Sequence, residues 1–180
     1  AARSRGGRST RWPTPVNTSD LAFQTVSLTL DVVRYDDPRV VLLTTEVQAE
    51  YGVRYGADGD VSPMDASEFA PPAGLFLLAT LNGEPVAMGG WRRGGPQPGD
   101  AEIKRMYVRA QHRQSGWARR VLAELERTAS LAGVTRLVLG TGIKQPEAIA
   151  LYRSCGYTDI PGFGHYADAP DAVHLAKPLD

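Results

Sequence analysis

AEIKRMYVRAQHRQSGWARRVLAELE, Ala101 to Glu126, reads as a strand that passes through a short turn into a helix. Ile103 to Val108 has strand composition, and beyond the turn Val121, Leu122, Leu125 and Ala129 recur at helical spacing, with Gly133 placed to end the helix. Arg113, Gly116 and Ala118 fall at the turn. The first N–H groups of a helix have no partner inside it and sit at the positive end of its dipole, so an anion is the natural guest there. Gly116 has no side chain to block a close phosphate, Ala118 has little, and Arg113 adds a charge-assisted contact. The layout places backbone N–H groups where a pyrophosphate can bind.

Reading outward in both directions gives the rest of the order. Downstream, VTRLVLGTG (Val134 to Gly142) reads as a strand and QPEAIALYRSCGY (Gln145 to Tyr157) as a helix opened by Pro146 and Glu147. Upstream, Thr25 to Val33 alternates apolar and polar residues as a half-buried strand does, and Arg39 to Tyr51 puts Val40, Leu43, Val47 and Tyr51 on one helical face. Gly52 to Pro72 is irregular and acidic, with Asp58, Asp60, Asp65 and Glu68 among Gly and Pro. Gly74 to Leu81 and Pro85 to Trp91 flank Asn82-Gly83, a favoured pair for a tight hairpin, and Gly94 to Gly99 is a second loop before the strand of Glu102. The order is β-α-(α)-β-β-β-α-β-α-β-β, an α/β protein with neither an internal repeat nor a splitting linker.

Composition narrows the function class. With 180 residues, 42% of them hydrophobic, and a formal net charge of zero, the chain is one domain with a real core, and balanced charge argues against a general nucleic-acid binder. No apolar run approaches the length of a membrane span, and a single cysteine, Cys155, excludes an internal disulfide, so a reducing cytoplasm is the expected compartment. Residues 1–24 carry Arg3, Arg5, Arg8 and Arg11 with Gly, Ser and Pro and no following hydrophobic segment of a secretory signal, and read as a basic, flexible extension ahead of a domain spanning 25–180. A basic arm for nucleic acid or a protein partner is the alternative.

RQSGWA resembles the phosphate loop of the GNAT superfamily, the acetyl-CoA-dependent N-acetyltransferases, whose Arg/Gln-x-x-Gly-x-Gly/Ala pattern lies between the fourth strand and third helix; the ALYRSCGY segment is similar to the later helix with its L-Y-x-x-x-G-Y/F ending. The resemblance covers about Val26 to Pro178 and implies the GNAT fold, a mixed central sheet flanked by helices. It implies an N-acetyltransferase using acetyl-CoA as acetyl donor without a metal. Cofactor contacts would come from Arg113, Gln114, Ser115, Gly116, Trp117 and Ala118, and from backbone N–H groups near Met106 and Val108 freed by a strand bulge. Gln145 stands near the position where many relatives carry an asparagine that contacts the pantetheine arm, a departure with a longer amide.

The same resemblance implies the chemistry. Glu102 lies eleven residues before Arg113, the offset of the general-base glutamate in the histone-acetylating branch, and would act through a water; its alternative is a strand carboxylate paired with Lys104 or Arg105. Tyr152 matches the tyrosine placed beside the cofactor sulfur, where a phenol with a reference pKa of about 10 can protonate a departing thiolate; its alternative is an aromatic packed with Ala148 and Ile149. The acceptor, a primary amine of a small molecule or peptide, would be held by the segments Tyr51 to Phe69 and Pro161 to Tyr166. The acidic character of the first favours a cationic acceptor, and Phe163, His165 and Tyr166 would lie over it. A non-catalytic acyl-CoA sensor and a transferase of longer acyl groups are the other functional readings, and a homodimer is an admissible assembly.

Other tempting residues carry less. Cys155 has no histidine near it in sequence and reads as a small packed thiol, while His112, His165 and His174 lack metal-ligand spacing. Asp58-Gly59-Asp60 lacks the remaining ligands of a calcium loop, and Trp91 and Trp117 read as packing residues.

Overall fold

The computed structural model describes residues 27–56 and 59–180, so the proposed N-terminal extension lies outside the described residues, as do Asp58 and the first residues of the leading strand. Seven strands form one sheet in the order β1-β2-β3-β4-β5-β7-β6, comprising β1 (Leu28–Val33), β2 (Gly74–Leu81), β3 (Glu84–Arg93), β4 (Asp100–Val108), β5 (Arg136–Gly142), β6 (Thr158–Asp159) and β7 (Ala172–Pro178). All neighbours are antiparallel except β4 and β5. The helices are α1 (Pro38–Tyr55), α2 (Trp117–Leu131) and α3 (Pro146–Ser154).

The local signals act as their chemistry requires. Asn82 and Gly83 both take positive φ, 51° and 83°, the pair of left-handed residues that matches hairpin twist, and so join β2 to β3. Asp37 accepts from Arg39 N at 2.8 Å and Pro38 occupies the first turn, which starts α1. Trp117, Val121, Leu122, Leu125 and Ala129 are the buried stripe of α2, and Gly133 at φ 76° turns the chain out of it.

Both faces of the central strands are covered, so neighbouring residues of β2 belong to different cores. Leu77 and Ala79 pack with α2, Tyr152 and Tyr157, whereas Phe76 and Leu78 pack with Val40, Leu43 and Val47 of α1 and with Phe69. Three details depart from the periodicity. The helix read as ending at Tyr51 continues to Tyr55, because Gly52 is accommodated in it and Gly56, at φ 113°, ends it. The parenthesised second helix is a single 3₁₀ turn, Ala66–Phe69, closed by reciprocal bonds between Asp65 and Glu68. The later helix stops at Ser154, where Gly156 at φ 91° reverses the chain into Tyr157.

Two features of β4 shape the molecule for function. Its parallel pairing with β5 covers only Asp100–Glu102 against Arg136–Val138, after which the strands part. On its other side the register with β3 jumps between Met88↔Tyr107 and Gly90↔Lys104, and Arg105 takes the left-handed φ of 55°. This is the strand bulge, carried by a bulky residue in a conformation that favours glycine. Buried Asp100 fixes the closed end of the split through bonds of 2.9 and 2.7 Å from Arg136.

Candidate active site

The split between β4 and β5 opens into a cavity of about 240 Å³ whose wall includes Glu102, Arg105, Met106, Gly140, Gln145 and Tyr152. α1 and the two expected acceptor segments complete it with Tyr51, Tyr55, Asp60, Phe163, Tyr166 and, from β7, His174. Gly142 matters for this wall: a side chain there would occupy the position of the Tyr55 hydroxyl, which Gln145 Nε2 meets at 3.3 Å.

Arg113 to Gly116 form an exposed turn at the start of α2, with Gln114 at φ 63° and Gly116 at φ 81°. The helix has neither a capping side chain nor an acid in its first turn, and a Cβ at Gly116 would meet no atom within 4 Å. Its first N–H groups are open to an anion. Trp117 is buried against the core with the Arg120 guanidinium 5.4 Å from its ring, and half-buried Ala118 follows it.

Arg113 is less free than its place in the motif suggests. Its Nη2 donates to Glu50 at 2.6 and 2.7 Å, and its Nε donates to Val108 O at 3.0 Å, so an anion at the turn would share it with Glu50. Tyr107 also donates to Glu50, at 2.8 Å, and Arg109 is held by Glu46. These bonds tie α1 to the end of β4 and hold the turn in place. Val108 lies outside the cavity wall and serves the turn through its carbonyl.

Glu102 points into the cavity with both oxygens engaged. Lys104 Nζ lies 2.8 Å from Oε1, and Arg92 donates to Oε2 through Nε at 3.2 Å and Nη2 at 2.9 Å. The partners are Lys104 and Arg92, not Arg105. Tyr152 is buried, edge-on to Tyr157 at 5.5 Å between ring centres. Burial raises its phenol well above the ordinary range, so it holds its proton throughout the neutral range.

The described acids of the segment Gly52 to Pro72 are each engaged within the fold. Asp65 is bound within the 3₁₀ turn and Glu68 accepts from Arg92 at 2.7 Å. Asp60 lies 3.2 Å from Arg105 Nη1 and accepts from Ser62 N and the Tyr166 hydroxyl, each at 3.0 Å. Burial works to raise its carboxyl, but the bonds from Ser62 and Tyr166 and the Arg105 charge outweigh that and hold it below the usual range. The premise for a cationic acceptor is thereby weakened, because Asp60 and Glu68 are already paired with arginines and Asp65 is engaged by Ser67.

Two residues gain importance from the fold. Arg105, which reads in sequence as an ion-pair partner for Glu102, is buried in the cavity wall and faces Asp60. His174 crosses from β7 opposite Gly140, where a Cβ would rest in ordinary contact with the imidazole, 3.5 Å away. Its Nε2 lies 3.2 Å from Tyr166 O, and a carbonyl can only accept, so Nε2 carries a hydrogen, and in that Nε2–H tautomer Nδ1 is an acceptor. No sequence spacing reveals this, since it depends on the pairing of β5 with β7.

The sequence model of the Acetyltransferase (GNAT) family matches residues 43–157. The chain belongs to that family. It is 35% identical over 140 residues to the IAA acetyltransferase of Azospirillum brasilense, a match covering 78% of this chain and 90% of the relative. Among solved structures, a Klebsiella pneumoniae protein described as an acyl-CoA N-acyltransferase superposes with a TM-score of 0.73 at 29% identity, covering 85% of this chain and 98% of that one. The IAA acetyltransferase of Bacillus cereus shares the fold at a TM-score of 0.60 and 20% identity, covering 85% and 100%. This GNAT protein is an acyltransferase of the acetyl-transferring kind, which sets aside a module without turnover. The mixed seven-stranded sheet is the GNAT fold.

Among the described residues, no helix is long and apolar enough to cross a membrane, and no group of three or more His, Cys, Asp or Glu side chains could hold a metal ion.

Proposed function

We propose that this chain transfers the acetyl group of acetyl-CoA to a primary amine of a small molecule or peptide by direct attack. The observation that carries the reading is the parting of β4 from β5 between the uncapped start of α2 and a polar, aromatic cavity. The residues fit the donor. Open N–H groups from Gln114 to Ala118, with Arg113 beside them, suit a pyrophosphate, while Met106 at the bulge and the Gln145 amide line the path of a pantetheine arm. Acetyl-CoA supplies, when bound, an activated thioester carbonyl.

The chain's own groups then manage protons. Glu102 takes a proton from the acceptor ammonium through a water, freeing the neutral amine to attack, and the competition of Lys104 and Arg92 for its oxygens makes a relay better suited than a direct contact. Tyr152 keeps its proton because burial raises its phenol, and it gives that proton to the departing sulfur. The test is thiol release from acetyl-, propionyl- and longer acyl-CoA with an acceptor panel that includes IAA, named for the Azospirillum brasilense relative. Acetyl-dependent release with an amine is the expected result. Release only with longer acyl donors, or only with acceptors lacking an amine, would overturn the assignment.

A further inference from the structure

Two residues of the cavity wall carry unsatisfied hydrogen-bonding groups of opposite kind. The Arg105 side chain is 6% exposed, and its Nε and Nη1 have no hydrogen-bond partner among the described residues; Asp60 lies 3.2 Å from Nη1 without the alignment of a hydrogen bond. His174 Nδ1 is likewise buried without a partner, and in the Nε2–H tautomer bonded to Tyr166 O it is an acceptor. The other buried side-chain atoms without partners, on Thr44, Ser62, Glu126 and Tyr157, lie outside the cavity wall. Buried polar atoms are normally bonded, so each exception asks for an explanation, and a shared cavity gives these a common one.

We propose that Arg105 and His174 form an acceptor subsite for an amino acid, with the substrate carboxylate on the Arg105 guanidinium and an amine N–H on His174 Nδ1. This rests on the acetyl-transfer reading and names its substrate class. A guanidinium offers five donors in a planar fork that matches a carboxylate, whereas Asp60 meets only one nitrogen and is itself held by Ser62 and Tyr166. The bulge explains how the side chain gets there. Left-handed φ at a bulky residue is strained, and it re-aims Arg105 out of the alternation that puts Glu102 and Lys104 together. A cationic acceptor without a carboxylate would leave the guanidinium unsatisfied. An amino acid supplies both missing partners, and the rings of Tyr51, Tyr55 and Phe163 in the same wall suit an apolar or aromatic side chain.

The experiment compares amino acids with their decarboxylated amines, phenylalanine with phenethylamine and leucine with isoamylamine leading the panel, by calorimetric binding to the CoA-saturated protein and by thiol release with acetyl-CoA. The amino acid should bind about tenfold to a hundredfold more tightly than its amine, the range for a charge-assisted bond to a buried group. Arg105→Met combined with Asp60→Asn, which removes both charges together, should bring that ratio close to one, and Arg105→Lys should restore part of it. Taking the ratio within each protein cancels any general loss of stability. Amines binding as well as amino acids, no amino acid binding at all, or a ratio unchanged in the double variant would each overturn the subsite. Amino-acid binding without thiol release would leave the subsite standing and sink the acetyl-transfer reading. Thiol release indifferent to the carboxylate would do the reverse.

Discussion

Replacing Gly116 with aspartate places a negative charge at the open start of α2 while leaving the fold nearly untouched. A Cβ there meets nothing within 4 Å, so the steric cost is nil, and what remains is the left-handed φ of 81°. That conformation costs an ordinary L-residue about 1–2 kcal/mol, and Asp and Asn tolerate it better than most. Gly116→Asn carries the same backbone cost and the same shape without the charge, so the difference between the two variants isolates electrostatics. A carboxylate about 5 Å from one phosphate charge gives roughly 3 kcal/mol at an effective dielectric of 20 and under about 1 kcal/mol in bulk water. The turn is exposed, which places the answer between those limits. Gly116→Asp should therefore bind acetyl-CoA about fivefold to a hundredfold more weakly than Gly116→Asn. Isothermal titration at low salt reads the difference, and repeating it near 1 M salt should shrink it, because the screening length falls from about 10 Å at 0.1 M to about 3 Å. If folded Gly116→Asp binds acetyl-CoA as the wild type does, the pyrophosphate does not sit at this helix start.

Tyr152→Phe removes one oxygen from a buried ring, so binding should persist while single-turnover transfer slows by about one to three orders of magnitude; an unchanged rate assigns the tyrosine to packing alone. Glu102→Gln should lower turnover far more than acetyl-CoA affinity, with a defect that lessens at high pH as the amine loses its own proton, and full neutral-pH activity on a strongly basic amine would assign Glu102 to its ion pairs with Lys104 and Arg92. Asp60 is held below its ordinary pKa in the folded chain, so its stabilising effect is complete above the unfolded value of about 4 and fades as the pH falls through the folded value. Urea melts should accordingly show Asp60→Asn less stable than the wild type at pH 7, with a gap that narrows on acidification; a gap independent of pH would contradict the ionised Asp60 network.

The elements legible in the sequence are those set by neighbours along the chain. Asn82-Gly83 specifies its hairpin because two adjacent residues must take positive φ, and Asp37-Pro38 specifies a helix start because one supplies an acceptor and the other a preset φ. The stripe of Val121, Leu122, Leu125 and Ala129 locates α2, and with Gly116 before it the open helix start follows from local chemistry alone. Family resemblance added the role expected of each motif position. Tertiary structure decided what those side chains meet. Glu50, more than sixty residues away, holds Arg113, and the sheet brings Arg92 to Glu102 across β3 and β4. The acids between Gly52 and Pro72 read as charge available to a substrate, yet Arg92 and Arg105 meet two of them once the segment folds over the sheet. Arg105 and His174 became neighbours of one cavity through a bulge in β4 and the pairing of β5 with β7, and neither leaves a periodic trace in the chain. Hydrophobic period and turn chemistry are local, whereas partner choice for charged side chains depends on which strands lie side by side.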